Sequence, residues 1–84
     1  MTNVYELDGS RLHDRAAAHD YLQEMLGFPE WYGKNLDALY DLLTGQTEET
    51  LIFISDADAA DEAVLETFTD AMEDNPELTV IFEE

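Results

Sequence analysis

Two short apolar runs, Leu51–Ile54 and Leu78–Phe82, constrain the fold of this chain more than any other feature of its sequence. Both are rich in branched and aromatic side chains and are shorter than an average helix. This pattern is typical of parallel-sheet strands that are covered on both faces. The alternating segment Asn3–Leu7 predicts a third, shorter strand near the start of the chain. Because parallel strands cannot be joined by tight turns, the segments between these strands are expected to form helices.

Three amphipathic stretches match that expectation. Asp14 is a candidate N-cap for the first helix, and Gly27 is a natural residue to end it. Asn35 and Gly45 bound the second helix in the same way, and Asn75, which precedes a proline, ends the third. The apolar stripes are Ala18, Leu22, Met25 and Leu26 in the first helix, Leu36, Leu39, Tyr40 and Leu43 in the second, and Val64, Phe68, Ala71 and Met72 in the third.

The predicted fold class is therefore α/β, with a single domain over residues 1–84. A small three-stranded parallel sheet packs with three helices in the order strand–helix–helix–strand–helix–strand. The two apolar runs are expected to be covered strands in the centre of the sheet. The order of the strands within the sheet stays open.

The charge excludes several kinds of partner. Twenty-one Asp and Glu residues stand against three Lys and Arg, which gives a formal net charge of −18 at pH 7. Arg11, Arg15 and Lys34 cannot form the basic cluster that binds a nucleic-acid backbone or an anionic membrane. The absence of cysteine excludes disulfides, thiolate metal sites and a cysteine nucleophile. With no secretory signal and no apolar stretch of about 20 residues, we expect a soluble, cytoplasmic protein.

Two explanations for this acidity compete. In a cell with molar internal salt, self-repulsion between carboxylates is screened, and a high negative charge keeps a protein soluble. Alternatively, a concentrated acidic face can bind a basic partner by imitating phosphates. The acids are spread from Glu6 to Glu84, so adaptation to high salt is the favoured cause of the total charge. Individual carboxylates can still be functional.

The second predicted helix carries the most suggestive charges. Asp37 and Asp41 are four residues apart and share one helix face, and Thr44 lies on the same face one turn later. Like charges at this spacing destabilise a helix, and an acid near the C-terminal end opposes the helix dipole. A solvated acidic face explains the pair on spacing alone, because charge runs usually mark solvated surfaces. A binding face for cations is the alternative.

The remaining candidates for chemistry are few. Trp31 and Tyr32 lie together in a loop, where one or both can fill the core or present a binding surface. His13 and His19 fall on different sides of a helix, and a surface or capping role is favoured over a metal site. Acidic residues after the second strand are better explained as helix caps than as a calcium loop. No nucleophile–base or phosphate-binding motif occurs, so neither catalysis nor a cofactor is expected.

The block Pro29–Gly45, PEWYGKNLDALYDLLTG, closely resembles the signature of barstar-type ribonuclease inhibitors. The shared pattern is an aromatic pair, glycine, asparagine, Leu-Asp-Ala-Leu, an aromatic, aspartate and finally Thr-Gly. The predicted order of strands and helices agrees with that family over nearly the whole chain. The resemblance implies an intracellular inhibitor that is not an enzyme. It binds a small basic ribonuclease one-to-one, is a monomer when free, and covers the active site with the second helix and the preceding loop.

The resemblance also assigns contact residues. Asp41 matches the central carboxylate that occupies the place of an RNA phosphate, and Asp37 matches its neighbour one turn earlier. The remaining implied contacts are Trp31, Asn35, Thr44, Gly45 and Asp70, with Asp74 a weaker candidate. Under this reading, the unfavourable pair of carboxylates is what a phosphate mimic shows before its cationic partner arrives.

The chain departs from the family pattern in four places. Gln46 stands where an aromatic is expected, and Tyr40 replaces a tryptophan, which suggests a core change. Asp70 is shorter than the usual glutamate, and the segment after Ser55 is several residues shorter, which implies the loss of a short helix. These differences point to a different ribonuclease partner. An acidic nucleic-acid mimic that binds another basic toxin or nucleic-acid-processing protein stays open as an alternative, as does a carboxylate-based metal hydrolase.

Overall fold

The computed structural model describes residues 2–84, and its framework is a three-stranded sheet. Strand β1 is Asn3–Asp8, β2 is Thr50–Ser55 and β3 is Leu78–Phe82. All pairs are parallel, and the order in the sheet is β1-β2-β3, with Tyr5 opposite Ile52. The strands therefore lie side by side in chain order, which settles the one topological question that the sequence left open.

Three α-helices fill the connections. Helix α1 is Arg15–Leu26, α2 is Leu36–Thr44 and α3 is Glu62–Asp74. Two short 3-10 helices, Gly9–Leu12 and Ala57–Ala59, follow β1 and β2. The predicted α/β fold and its element order are confirmed. The shortened segment after β2 contains a single 3-10 turn.

All helices pack on one face of the sheet. Neighbouring parallel strands in chain order need two crossovers of the same hand, and right-handed crossovers place both sets of helices on the same side. Accordingly Leu7, Ile52 and Val80 point into the core, whereas Val4 and Ile81 on the other face are 56% and 40% exposed. Alternate side chains along each strand thus separate a covered face from an open one.

The prediction that both apolar runs are covered central strands is wrong. Only β2 is central, and its alternate residues Leu51 and Phe53 are half-buried on the open face. Strand β3 lies at an edge, where Ile81 and Phe82 are exposed. All three helices lie on one face of the sheet, so its other face stays open. A continuous apolar run therefore marks a strand here, but it does not imply that both faces of that strand are covered.

The helix stripes are mostly as predicted. In α2 and α3, Leu39, Leu43 and Phe68 are fully buried. Helix α1 differs, because Met25 is 41% exposed and His19 is buried in its place. The face of α1 that packs on the sheet therefore includes His19 and excludes Met25, and so differs slightly from the face that the apolar residues predict.

The predicted caps Asp14 and Gly27 are present. Of the acidic residues after β2 that were expected to cap the third helix, Asp61 does so, whereas Asp56 makes no side-chain capping hydrogen bond and α3 begins only at Glu62. Asp14 accepts a hydrogen bond from the Ala17 N–H at the start of α1, and Gly27 ends that helix with a φ of 69°, in the left-handed region that favours glycine. Asp61 accepts from two backbone N–H groups at the start of α3. These caps satisfy helix-end donors that would otherwise be unpaired.

The distribution of charge generates a prediction about salt. Among residues 2–84 the ion pairs are Arg15–Asp61 and Lys34–Asp20, so most carboxylates have no cationic partner. Raising the ionic strength from about 0.01 M to 1 M shortens the Debye length from about 30 Å to about 3 Å and screens their repulsion. We expect the melting temperature to rise between dilute buffer and 1 M KCl. Scanning calorimetry checks this, with an uncharged osmolyte as control, and an unchanged melting temperature in KCl would contradict it.

Candidate functional site

The loop between α1 and α2 is held in place by several local hydrogen bonds. The Gln23 side chain donates to the Pro29 carbonyl (2.9 Å), and the Tyr32 N–H donates to the same carbonyl (3.0 Å). The rings of Phe28 and Tyr32 pack with their centroids 4.9 Å apart, and both residues belong to the core. The loop is therefore an ordered continuation of the core and not a free connection.

Trp31 projects from this loop into solvent. Its side chain is 76% exposed, whereas that of the adjacent Tyr32 is only 4% exposed. The sequence left open which of the two aromatics fills the core. The structure assigns Tyr32 to the core and leaves Trp31 as the most exposed of the large apolar side chains identified on the surface. A large rigid side chain held outward in this way suits contact with another protein.

Tyr32 is anchored by a histidine that the sequence analysis placed at the surface. His19 is 3% exposed, and its Nδ1 atom lies 2.5 Å from the Tyr32 hydroxyl, to which it is hydrogen-bonded. The expectation that both histidines are exposed or capping is therefore wrong for His19. Burial lowers the pKa of His19 below its usual 6.5 and raises the pKa of Tyr32 to about 12. No sequence signal pointed to this pair, because its members are 13 residues apart on different elements.

Helix α2 begins where the loop ends. The side chain of Asn35 accepts a hydrogen bond from the Ala38 N–H (2.7 Å), which confirms the predicted N-cap. Lys34, just before it, has a φ of 52° and forms an ion pair with Asp20 of α1 (2.7 Å). The start of α2 is thus fixed both by its own cap and by a link to α1.

The predicted acidic face is present on α2. Asp37 lies in the first turn and Asp41 one turn later, and both are exposed. Neither takes part in an ion pair within residues 2–84. Thr44 is half-buried at the end of the same face, where its hydroxyl donates to the Tyr40 carbonyl (2.9 Å). Helical geometry therefore brings three of the predicted contact residues together on one side of α2.

Gly45 follows the last residue of α2, at the end of the acidic face. The Gly45 N–H donates to the Asp41 carbonyl (3.0 Å), and a Cβ atom built on Gly45 would lie 3.1 Å from that oxygen. A side chain at this position would therefore crowd the last turn next to Asp41. The side chain of Gln46 does not extend the face, because its amide turns back to donate to the Leu42 carbonyl (3.3 Å).

Helix α3 adds carboxylates beside α2. The Tyr40 hydroxyl donates a hydrogen bond to the Asp74 carboxylate. This hydrogen bond, followed by burial and the nearby negative charges of Asp74, Asp70 and Asp41, raises the pKa of Tyr40. Tyr40 was expected to be a core substitution, but it is only half-buried and its hydroxyl reaches the surface. A hydrogen bond thus links α2 to a carboxylate of α3.

Asn75 joins the two helices, which the sequence analysis did not anticipate. Its buried side-chain amide donates to the carbonyls of Leu43 (3.0 Å) and Gln46 (3.1 Å) at the end of α2. These contacts add side-chain donors to carbonyl groups at the end of α2, where the Leu43 carbonyl also accepts from the Gln46 N–H (3.4 Å). The sequence identified Asn75 only as a helix terminator, because a bond across 32 residues leaves no local signal.

Other classes of site are not indicated. In the part of the chain that the structure describes, no cluster of three or more His, Asp or Glu side chains is arranged to hold a metal ion. Among the same residues, no helix has the length and apolarity needed to span a bilayer. The features with a clear chemical character are the exposed tryptophan and the neighbouring acidic helices.

The sheet, the one-sided helix layer and the ordered loop define a small α/β protein with the barstar-like fold. A family model described as Barstar (barnase inhibitor) matches residues 2–82, and the chain therefore belongs to the barstar family.

A Bacillus subtilis (strain 168) protein named "Putative ribonuclease inhibitor YrdF" is 42% identical over 48 residues, which are 57% of this chain and 53% of that protein. The match thus spans about half the length of this curated relative.

The buried histidine generates a prediction about pH. Because folding lowers the pKa of His19, the unfolded chain takes up a proton more readily than the folded protein does. The contribution of His19 to stability is therefore fully present above pH 6.5 and is lost as the pH falls below that value. We expect His19→Gln to show a smaller acid-side loss in the free energy of unfolding than the wild type.

Urea titrations between about pH 7 and pH 5 measure this difference. His13→Gln is the matched control, since His13 is exposed. Equal pH slopes for the two variants would contradict the prediction.

Proposed function

We propose that this protein inhibits a small basic ribonuclease of the barnase type by covering its active site in a one-to-one complex. The contact surface is α2 together with the loop before it, and the inhibitor acts in the cytoplasm, where it protects cellular RNA as an immunity protein. The observation that carries this proposal is the exposed Trp31 in the ordered loop that leads into α2, where Asp37 and Asp41 take part in no ion pair within residues 2–84. Membership of a family described as barnase inhibitors, and the name of the Bacillus subtilis relative, support it.

The charges on α2 are suited to a cationic cleft. Asp41 lies one turn from the C-terminal end of a nine-residue helix, where the helix dipole disfavours an acid. Asp37 adds like-charge repulsion at a spacing of four, which costs about 0.2–0.5 kcal/mol. Arg, Lys and His side chains that bind RNA phosphates would pair with these carboxylates and remove both penalties. The free inhibitor thus holds unfavourable charges that its partner neutralises.

The other proposed contacts surround this centre. Asn35 and Gly45 lie at the two ends of α2, and Thr44 lies beside Gly45. Asp70 and Asp74, one turn apart on α3, extend the acidic surface beside α2, where Asp74 accepts a hydrogen bond from Tyr40. The proposed interface therefore has a central pair of carboxylates, a flanking aromatic and a polar rim.

A charge-removal experiment tests the centre of this interface. We expect Asp41→Ala to weaken inhibition of a barnase-type ribonuclease by more than about 100-fold. The reason is that removing one partner of a desolvated ion pair costs about 3–5 kcal/mol. Residual ribonuclease activity is titrated with the wild type and with the variant, in dilute buffer and in 1 M KCl.

Glu6→Ala is the matched control, since Glu6 is an exposed acid of β1 on the opposite face of the sheet. Equal inhibition constants for the Asp41 and Glu6 variants would contradict the role of Asp41. Failure of the wild-type protein to inhibit would contradict the proposed function itself.

A second experiment tests the aromatic. We expect Trp31→Ala to weaken inhibition by roughly 30-fold, because truncation of an interface tryptophan that acts as a hot spot costs about 2 kcal/mol or more. Its melting temperature should stay close to that of the wild type, since the side chain is 76% exposed. Val4→Ala removes an exposed apolar side chain from the open face of the sheet and serves as control. If both variants inhibit equally well, Trp31 is not a contact.

A further inference from the structure

A groove of about 850 Å³ runs between α3 and the end of β3. Leu65 and Phe82 give it apolar walls, and all five charged side chains that line it are acidic. Three of these acids, Glu62, Glu66 and Asp70, follow one another at four-residue intervals along α3. The groove therefore combines accessible apolar surface with charge of a single sign.

The apolar part of the groove is accessible because of the sheet order. Strand β3 is an edge strand, and Phe82 near its end is 38% exposed, while Leu65 of α3 is half-buried. The two residues contribute apolar surface to the groove from α3 and from the sheet edge. An apolar surface with a polar rim is the usual composition of a protein-binding site.

The charge selects the chemistry of the occupant. Uniformly negative walls repel nucleic acid, an anionic membrane and a second copy of a chain whose net charge is −18. An extended segment rich in Lys and Arg fits, because its charged ends reach the carboxylates while its aliphatic stems lie on apolar surface. One bulky apolar residue in that segment would contact Leu65 and Phe82.

The groove is continuous with the acidic surface described above. Asp70 lines it, and Asp74 lies one turn further along α3, where its carboxylate accepts a hydrogen bond from Tyr40 of α2. The groove therefore starts where the acidic surface of α2 and α3 ends. A partner bound over α2 has only to continue along α3 to enter it.

We propose that this groove is a second contact site for the same ribonuclease. It holds a Lys- and Arg-rich segment that carries a bulky apolar residue and lies outside the ribonuclease active site. This inference rests on the proposed function and adds a requirement to it, since the partner must have such a segment beside its active site. The groove lengthens the interface and slows dissociation of the complex.

Two groove variants test this inference. We expect Glu66→Gln and Leu65→Ala each to raise the dissociation rate of the complex with a barnase-type ribonuclease by roughly tenfold. Glu6→Gln is the control for the charge change, and the melting temperature of each variant shows that it is folded at the assay temperature. In the complex with the wild-type protein, the methyl NMR signals of Leu65 should shift, whereas those of Val4, on the open face of the sheet, should not.

The outcomes separate the two proposals. The groove contact is overturned if the groove variants dissociate as slowly as Glu6→Gln and the Leu65 signals do not shift. If Asp41→Ala loses inhibition in the same series, the inhibitor function still stands. A wild-type protein that does not inhibit overturns both. Faster dissociation of both groove variants, together with shifted Leu65 signals, supports the second contact.

Discussion

Burial against one face of a three-stranded parallel sheet is the constraint on which the rest of this structure depends. The strands lie in chain order, so right-handed crossovers place both connections on the same side of the sheet. All three helices therefore pack on the same apolar face. Helices α2 and α3 bury Leu39, Leu43 and Phe68 there and expose their other sides. The outward sides of these two helices carry most of the acidic surface discussed above, so the fold itself decides which charges can meet a partner.

The candidate site illustrates how a rigid core presents an exposed aromatic. Tyr32 is held by His19 and Phe28, and the chain next to it is held by Gln23. Trp31 lies between these fixed points and is directed into solvent. Little conformational entropy remains to be lost at this loop when a partner binds, which favours affinity. Asn75 has a similar role at the other end of α2, where it ties the helix terminus to α3.

The acidity of the chain has a general part and a local part. Carboxylates are spread over exposed positions throughout the chain. Between α2 and α3 the Tyr40 hydroxyl donates to the Asp74 carboxylate, and the negative charges of Asp74, Asp70 and Asp41 help to raise the pKa of Tyr40. Under the proposed function, this local concentration of negative charge gives a basic ribonuclease a preferred direction of approach. At molar salt the long-range part of that attraction is screened, so the proposed complex would depend on close contacts.

The sequence by itself determined the element order, the helix caps and the acidic face of α2. Each of these rests on interactions between residues a few positions apart: Asp14 with Ala17, Asn35 with Ala38, and the four-residue spacing of Asp37 and Asp41. The contact roles of Asn35, Asp37 and Asp41 were implied by the family resemblance of the block Pro29–Gly45, and they stay predictions.

Only the tertiary structure decided what lies far apart in the chain. The strand order left β3 at an edge with one face open, which continuous apolar runs could not reveal. It also decided that His19 is buried against Tyr32, that Asn75 caps α2 and that Tyr40 reaches Asp74. The physical reason is the same in each case, because these partners come from different elements and meet only after the helices have packed on the sheet.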